Sequence, residues 1–326
     1  MSGRIVAHLE MWRPYTLGYI GLVGMSGAVL ARPGASSWQL FGAWAAPTLG
    51  WLGGLYGADY RDRHLDTIAK THRPIPSGRV RPGTAVAAMI VCVAAGAAIA
   101  LSLNWRTLLL VAVAFGGGAA YSVWLKGLGL WGNLVRGALT ACAFVYGTMT
   151  VAPWPPLRLL LIALVWWPHD SASNLVGTLR DAAGDRLGGC RTLVVQRGER
   201  VALRYVYALY GLAVGLAAWV FMALPSPGRQ AAVGLGATAV ALGCVALIML
   251  AGSGRPIAQR TALRAHEVLV VERLMLAGAV IALAKPVLAL VLSAVTAAVT
   301  VISQWIMRER YEFGHRPTQV GARPAG

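Results

Sequence analysis

The chain has 326 residues, enough for two soluble domains, but only 13% are charged, about half the share usual in soluble proteins, while 57% are hydrophobic and mean hydropathy is +0.61. So few charges cannot cover a water-soluble globule, whereas a helical bundle in lipid does not need them. Lys and Arg outnumber Asp and Glu by 29 to 12, a net charge of +17. The basic residues cluster between apolar runs, so they read as topology signals and phosphate ligands. No nucleic-acid-reading module is present.

Residues 1–13 carry Arg4, His8, Glu10 and Arg13 and lead directly into an apolar run without a cleavage site, so no cleavable leader is expected. A helix needs roughly 20 apolar residues to cross a bilayer. Runs of that kind lie near 14–31, 38–57, 84–103, 106–125, 130–152, 157–178, 201–223 and 229–252. The stretch from 268 to 306 is too long for one crossing and is expected to break at Lys285-Pro286, into two spans or a span and an interfacial helix. The expected fold is all-α: a polytopic transmembrane bundle of nine or ten spans, with a central lipid-accessible cavity capped on the cytoplasmic side. This bundle takes in residues 1–306, and a basic tail, cytoplasmic or flexible, takes in 307–326.

Charge alternates between the connections. Those after the first, third, fifth and seventh runs hold one basic residue each (Arg32, Arg106, Arg158, Arg229). The connection after the second holds Arg61, Arg63, Lys70, Arg73, Arg79 and Arg81, and that after the sixth holds Arg180, Arg186, Arg191, Arg197 and Arg200. That after the eighth holds Arg255, Arg260 and Arg264. The positive-inside rule puts the rich loops and the N-terminus in the cytoplasm. Arg308, Arg310, Arg316 and Arg323 favour a cytoplasmic C-terminus and hence ten spans. The four cysteines are remote from one another, with neither disulfide nor zinc spacing.

There are six aspartates, and five of them form two groups. Asp59, Asp62 and Asp66 follow the second run; Asp181 and Asp185 follow the sixth. At 100° per residue, Asp59, Asp62 and Asp66 fall within about 60° of one helix face, and Asn174, Asp181 and Asp185 within about 40° of another. Like charges this close need a cation or a bound proton. Oxygen-only donors without His or Cys in register favour a hard ion such as Mg2+, which usually completes its shell with substrate phosphate. Arginines around both stripes therefore point to a diphosphate held by Mg2+ on one side and by basic side chains on the other. Solvated helix ends with local ion pairs to Arg63 and Arg186 are the plainer reading. Two such stripes, four spans apart and on one membrane face, count against it.

At these residues the sequence resembles the UbiA superfamily of intramembrane prenyltransferases, whose members carry NDxxDxxxD after the second helix and Dx6DxxxD at the end of the sixth. Here the first motif reads Ala58-Asp59-Tyr60-Arg61-Asp62-Arg63-His64-Leu65-Asp66, followed by THRPIPSGRV, and the second Asn174-x6-Asp181-x3-Asp185, followed by RLGGCRTLVVQRG. The resemblance covers about residues 8–250 and implies that Asp62, Asp66, Asp181 and Asp185 hold Mg2+ bridging an isoprenyl diphosphate. The family's leading Asn is Ala58 here, a place Asp59 is positioned to take as ligand; the first Asp of the second motif is Asn174, a neutral oxygen donor. The family's YxxxK is matched with one residue too many by Tyr121 and Lys126, which the resemblance makes diphosphate ligands.

Arg73, between prolines and glycine in HRPIPSGR, suits bidentate phosphate recognition; its neighbour Lys70 joins it, and a plain topology charge is the other reading. Arg13-Pro14 resembles the family's Arg-Pro at that position and either faces the site or snorkels to the interface. Arg180 and Arg191 read as structural. Asp170, within the sixth run beside His169 and Pro168, is a candidate base or acceptor-orienting group. Of the aromatic residues, Trp51, Tyr60, Tyr121 and Trp166 are among those placed to face a carbocation, while Trp38, Trp105, Trp154 and Trp305 fit an interfacial belt.

The expected reaction is Mg2+-assisted ionisation of an isoprenyl diphosphate, with the prenyl cation captured by an aromatic or other lipophilic acceptor. Capture by the substrate's own double bond makes the protein a terpene cyclase instead, and a phosphoribosyl-type transfer is a further option that the superfamily offers. Cation-coupled transport is the reading from another class; carboxylates at one end of the bundle, rather than at its midplane, count against it.

Overall fold

The computed structural model describes residues 3–224 and 226–314; Arg316 and Arg323 of the basic tail lie outside the described residues. Thirteen α-helices and no strands are found among them. They are α1 (Gly3–Trp12), α2 (Pro14–Ala31), α3 (Ser37–Ala69), α4 (Pro82–Leu103), α5 (Thr107–Val123), α6 (Leu130–Met149) and α7 (Leu157–Ala163). There follow α8 (Trp166–Leu187), α9 (Leu193–Ala223), α10 (Arg229–Ala251), α11 (Gln259–Ala282), α12 (Pro286–Ser303) and α13 (Glu309–Phe313).

Local chemistry fixes the helix starts. Proline opens α2, α4 and α12, where its missing N–H costs nothing. A capping box opens α3: Ser36 Oγ accepts from the Gln39 N–H at 3.3 Å, and the Ser36 N–H donates back to Gln39 Oε1 at 3.0 Å. The long apolar stretch breaks at Pro286 as expected. The run at 157–178 is not one helix: it parts between α7 and α8 at Leu164–Val165. Pro168 has no N–H for the Leu164 carbonyl four residues earlier and its ring crowds that oxygen, which disfavours a continuous helix there.

Helices α2 and α11 form the centre of the bundle, with α6 and α8 packed against them. At the α2–α6 crossing, a Cβ on Gly147 would overlap the Gly24 carbonyl oxygen, so only glycine permits the approach. Ile90, Val91, Leu109, Val113, Met222, Ile248, Val291 and Val295 lie exposed on the outer helices α4, α5, α9, α10 and α12. Five helices are long and apolar enough to cross a membrane: Pro14–Ala31, Pro82–Leu103, Leu193–Ala223, Arg229–Ala251 and Pro286–Phe313. Helices α3, α6, α8 and α11, which carry Asp59, Arg136, Asp170 and Arg273, are not among them. Charge on inner helices is what a polar interior requires.

An apolar cavity of about 210 Å3 lies between α9, α10 and α11, with His169 and Glu272 on its wall. Residues 307–313 continue from α12 through a π-turn (Gln304–Arg308) into α13 and bury Tyr311 and Glu312.

Candidate active site

Helix α3 runs twelve residues past the expected span end at 57, carrying the first aspartates beyond the apolar segment. Asp59 and Asp66, two turns apart, are buried. Asp62 sits on the rim, 36% exposed, and pairs with its neighbour Arg61 at 2.6 Å. The three therefore do not form one uniform stripe. Asp59 accepts from Arg13 and from the Tyr311 hydroxyl, the latter at 2.8 Å. Arg13 joins α1 to α2 with φ at +47°, a left-handed conformation unusual outside glycine, so the surrounding contacts hold it there at a cost. Asp66 accepts from Arg73 at 2.8 Å. The loop carrying Arg73 is tied down: the Val80 N–H donates to the Pro74 carbonyl at 3.0 Å, and Arg79 grips both oxygens of Glu10.

The second group lies on α8. Asn174 accepts from Asn133 at 2.8 Å and from the Tyr121 hydroxyl at 3.3 Å. Asp181 is held by Arg180 through two hydrogen bonds of 2.9 and 2.7 Å. Asp185 pairs with Lys126 at 2.7 Å. Lys126 reaches it because α5 ends at Val123 and the chain tightens into a 3-10 turn, Leu125–Gly127, which takes up the extra residue between Tyr121 and Lys126. Burial raises the Asp66 carboxyl above its ordinary range and outweighs Arg73; burial does the same at Asp185 against Lys126. Burial acts to lower the Lys126 ammonium, but Asp185 outweighs it and holds Lys126 high.

The C-terminal residues bring the two groups together. Glu312 lies 3.0 Å from Lys70 and 3.9 Å from Arg73 on one side, and 3.5 Å from Arg180 on the other. The Tyr311 ring lies between the guanidinium groups of Arg13 and Arg73, at 4.4 and 4.5 Å. Leu65, beside Asp66, approaches Gly188 just past Asp185. The two motifs thus face one another around a cradle of Lys70, Arg73 and Arg180. Among the described residues no three carboxylate, His or Cys groups converge as a metal cluster, because each motif aspartate has its own basic partner. Asp59 Oδ2 and Asp185 Oδ2 are buried without a partner, and with the all-oxygen donor set they fit a hard divalent cation.

Deeper in the bundle, Asp170 accepts from Arg273 at 2.7 Å and Thr140 at 2.9 Å and lies 3.2 Å from Arg136. Both oxygens are thus engaged, and Asp170 anchors two arginines. His169 pairs with Glu272 at 2.9 Å, and Tyr210 donates to the same carboxylate at 3.2 Å. Trp51 packs under Arg136 and Tyr19 under Arg273. Sequence alone reads Arg180 as structural and does not reveal the contacts of Tyr311, Glu312, Arg136, Glu272 and Arg273. Their signal was present: glutamates are as scarce as aspartates, and Glu267, Glu272 and Arg273 interrupt apolar sequence.

A sequence profile of the UbiA prenyltransferase family matches residues 20–265. A protein of Ignicoccus hospitalis named digeranylgeranylglyceryl phosphate synthase is 33% identical over 221 residues, 66% of this chain and 72% of that protein. One of the same name from Methanopyrus kandleri is 31% identical over 249 residues, 75% of this chain and 87% of that protein. A solved UbiA homolog from Archaeoglobus fulgidus, bound to GPP and Mg2+, has the same fold at a TM-score of 0.68 and 16% identity, covering 92% of this chain and 100% of that one. From the profile match, the curated relatives and the shared fold, this chain is an integral membrane prenyltransferase that belongs to the UbiA prenyltransferase family.

Proposed function

We propose that the protein transfers a prenyl group from an isoprenyl diphosphate, with Mg2+, to the hydroxyl of a lipophilic glyceryl phosphate acceptor in the membrane. The observation that carries this is the meeting of the two aspartate motifs around Lys70, Arg73 and Arg180, where Glu312 holds the place of an anion. The acceptor class is supported by the name of the curated relatives, and the Mg2+ by the A. fulgidus homolog and by the free oxygens of Asp59 and Asp185.

Asp62, Asp66, Asp181 and Asp185, with Asp59 and Asn174 beside them, would supply the oxygen ligands to Mg2+. Mg2+, when bound, neutralises charge on the departing diphosphate. Lys70, Arg73 and Arg180 exchange Glu312 for the substrate's head, Lys126 and Tyr121 close on it from α5, and Arg13 completes the basic wall. The C1–O bond breaks and the diphosphate leaves with its electron pair. The acceptor oxygen then bonds to C1, and its proton passes to the departing diphosphate. The charge of the loops supports a cradle at the cytoplasmic end of the bundle.

The test is purified protein with geranylgeranyl diphosphate and Mg2+, with and without a prenylated glyceryl phosphate lipid. The expected result is an ether product and diphosphate release that depends on the acceptor. A hydrocarbon formed without acceptor would overturn transfer in favour of cyclisation.

A further inference from the structure

Arg308 is a buried charge that the proposed transfer leaves unused. It ends the π-turn Gln304–Arg308, an insertion of a kind frequent at functional sites, and its side chain is 1% exposed. Nη2 lies 2.5 Å from His266 Nδ1, which therefore accepts and carries no proton there. Nε and Nη1 have no partner. The nearest carboxylate oxygen, Glu267 Oε1, is 3.9 Å from Nε, beyond hydrogen-bond range; the other Glu267 oxygen is taken by Arg264 at 2.8 Å. The Tyr15 ring lies 5.1 Å from the guanidinium, and its buried hydroxyl also lacks a partner. A guanidinium cannot shed its charge, so a buried one with free donors is costly until an anion meets it.

We propose that Arg308 and Tyr15 form a second anion site, separate from the diphosphate cradle, that binds the phosphate of the acceptor lipid. This rests on the acceptor being a glyceryl phosphate lipid. Position supports it: Arg308 is one helical turn from Glu312, which lies in the cradle, so the two anions would sit side by side. The site also lies where α12 packs against both α2 and α11, a seam between an outer helix and the bundle centre. A lipid entering along that seam keeps its phosphate at the level of the other headgroup while its chain stays apolar.

The experiment uses the full chain in detergent with geranylgeranyl diphosphate, Mg2+ and two acceptors: a singly prenylated glyceryl phosphate and the alcohol left when its phosphate is removed. Arg308→Gln is expected to raise KM for the phosphorylated acceptor by about tenfold or more, with KM for the prenyl diphosphate and turnover of the alcohol unchanged. Arg308→Lys is expected to restore part of the loss, and Tyr15→Phe to shift the same constant by less. An Arg308→Gln protein of wild-type melting temperature that keeps its KM for the phosphorylated acceptor, or loses equally on both acceptors, overturns the site while the transfer reading stands. If Arg308→Gln does not fold, an unchanged KM in Tyr15→Phe overturns it. Wild-type protein that prenylates neither acceptor refutes the transfer reading, and the site with it.

Discussion

Asp185 and Asp170 lie on the same helix, α8, and have opposite surroundings. Asp185 meets one cation and keeps a second oxygen free at the cradle, whereas Asp170 is held by two arginines and a threonine. Replacing Asp185 or Asp66 by Asn is expected to lower kcat by about two to three orders of magnitude, the scale of losing a preorganised charge at a reacting centre. Their melting temperatures should change little, and diphosphate release measures the effect. Asp170→Ala should act on stability instead, leaving Arg273 and Arg136 buried without a counter-charge at a cost of about 3–5 kcal/mol. A thermal melt in detergent checks it, and an Asp170→Ala protein that melts normally yet is inactive would return Asp170 to catalysis. Residue spacing made Asp59, Asp66, Asp181 and Asp185 legible in the sequence, because helical periodicity is local. Arg13 was named only through the family's Arg-Pro, and Tyr311 not at all, because their contact joins distant parts of the chain that meet only in the folded bundle.

Among the elements, α13 is the one whose sequence and role diverge most. ERYEF reads as a polar end to a basic tail, yet Glu312 fills the cation cradle. Because that carboxylate competes with the substrate's head, Glu312→Gln is expected to lower KM for the prenyl diphosphate several-fold, on the scale of one charge-assisted bond. Initial rates at varied diphosphate measure it, and a raised KM would instead make Glu312 a structural tie. The break at Lys285-Pro286 was legible because proline acts on its own helix, and so was the start of α2. The parting of α7 from α8 carried the same kind of signal in Pro168, but the unbroken hydropathy of the run 157–178 hid it.

For the molecule as a whole, the outer helices present aliphatic side chains and the inner ones carry charge, the distribution that low overall charge and high hydropathy foretold. Sidedness is testable directly. In a cysteine-free background, single cysteines at Arg79 and Arg197 should label only from the cytoplasmic side, and those at Arg106 and Arg158 only from the opposite side. Labelling of all four from one side would remove the proposed orientation.

The contact between Arg13 and Tyr311 joins residues 298 positions apart. The carboxylate that meets Lys70, Arg73 and Arg180 follows α1–α12 in the chain, so those helices are synthesised before it. Until then Lys70 lacks its carboxylate partner, while Arg73 and Arg180 have only Asp66 and Asp181.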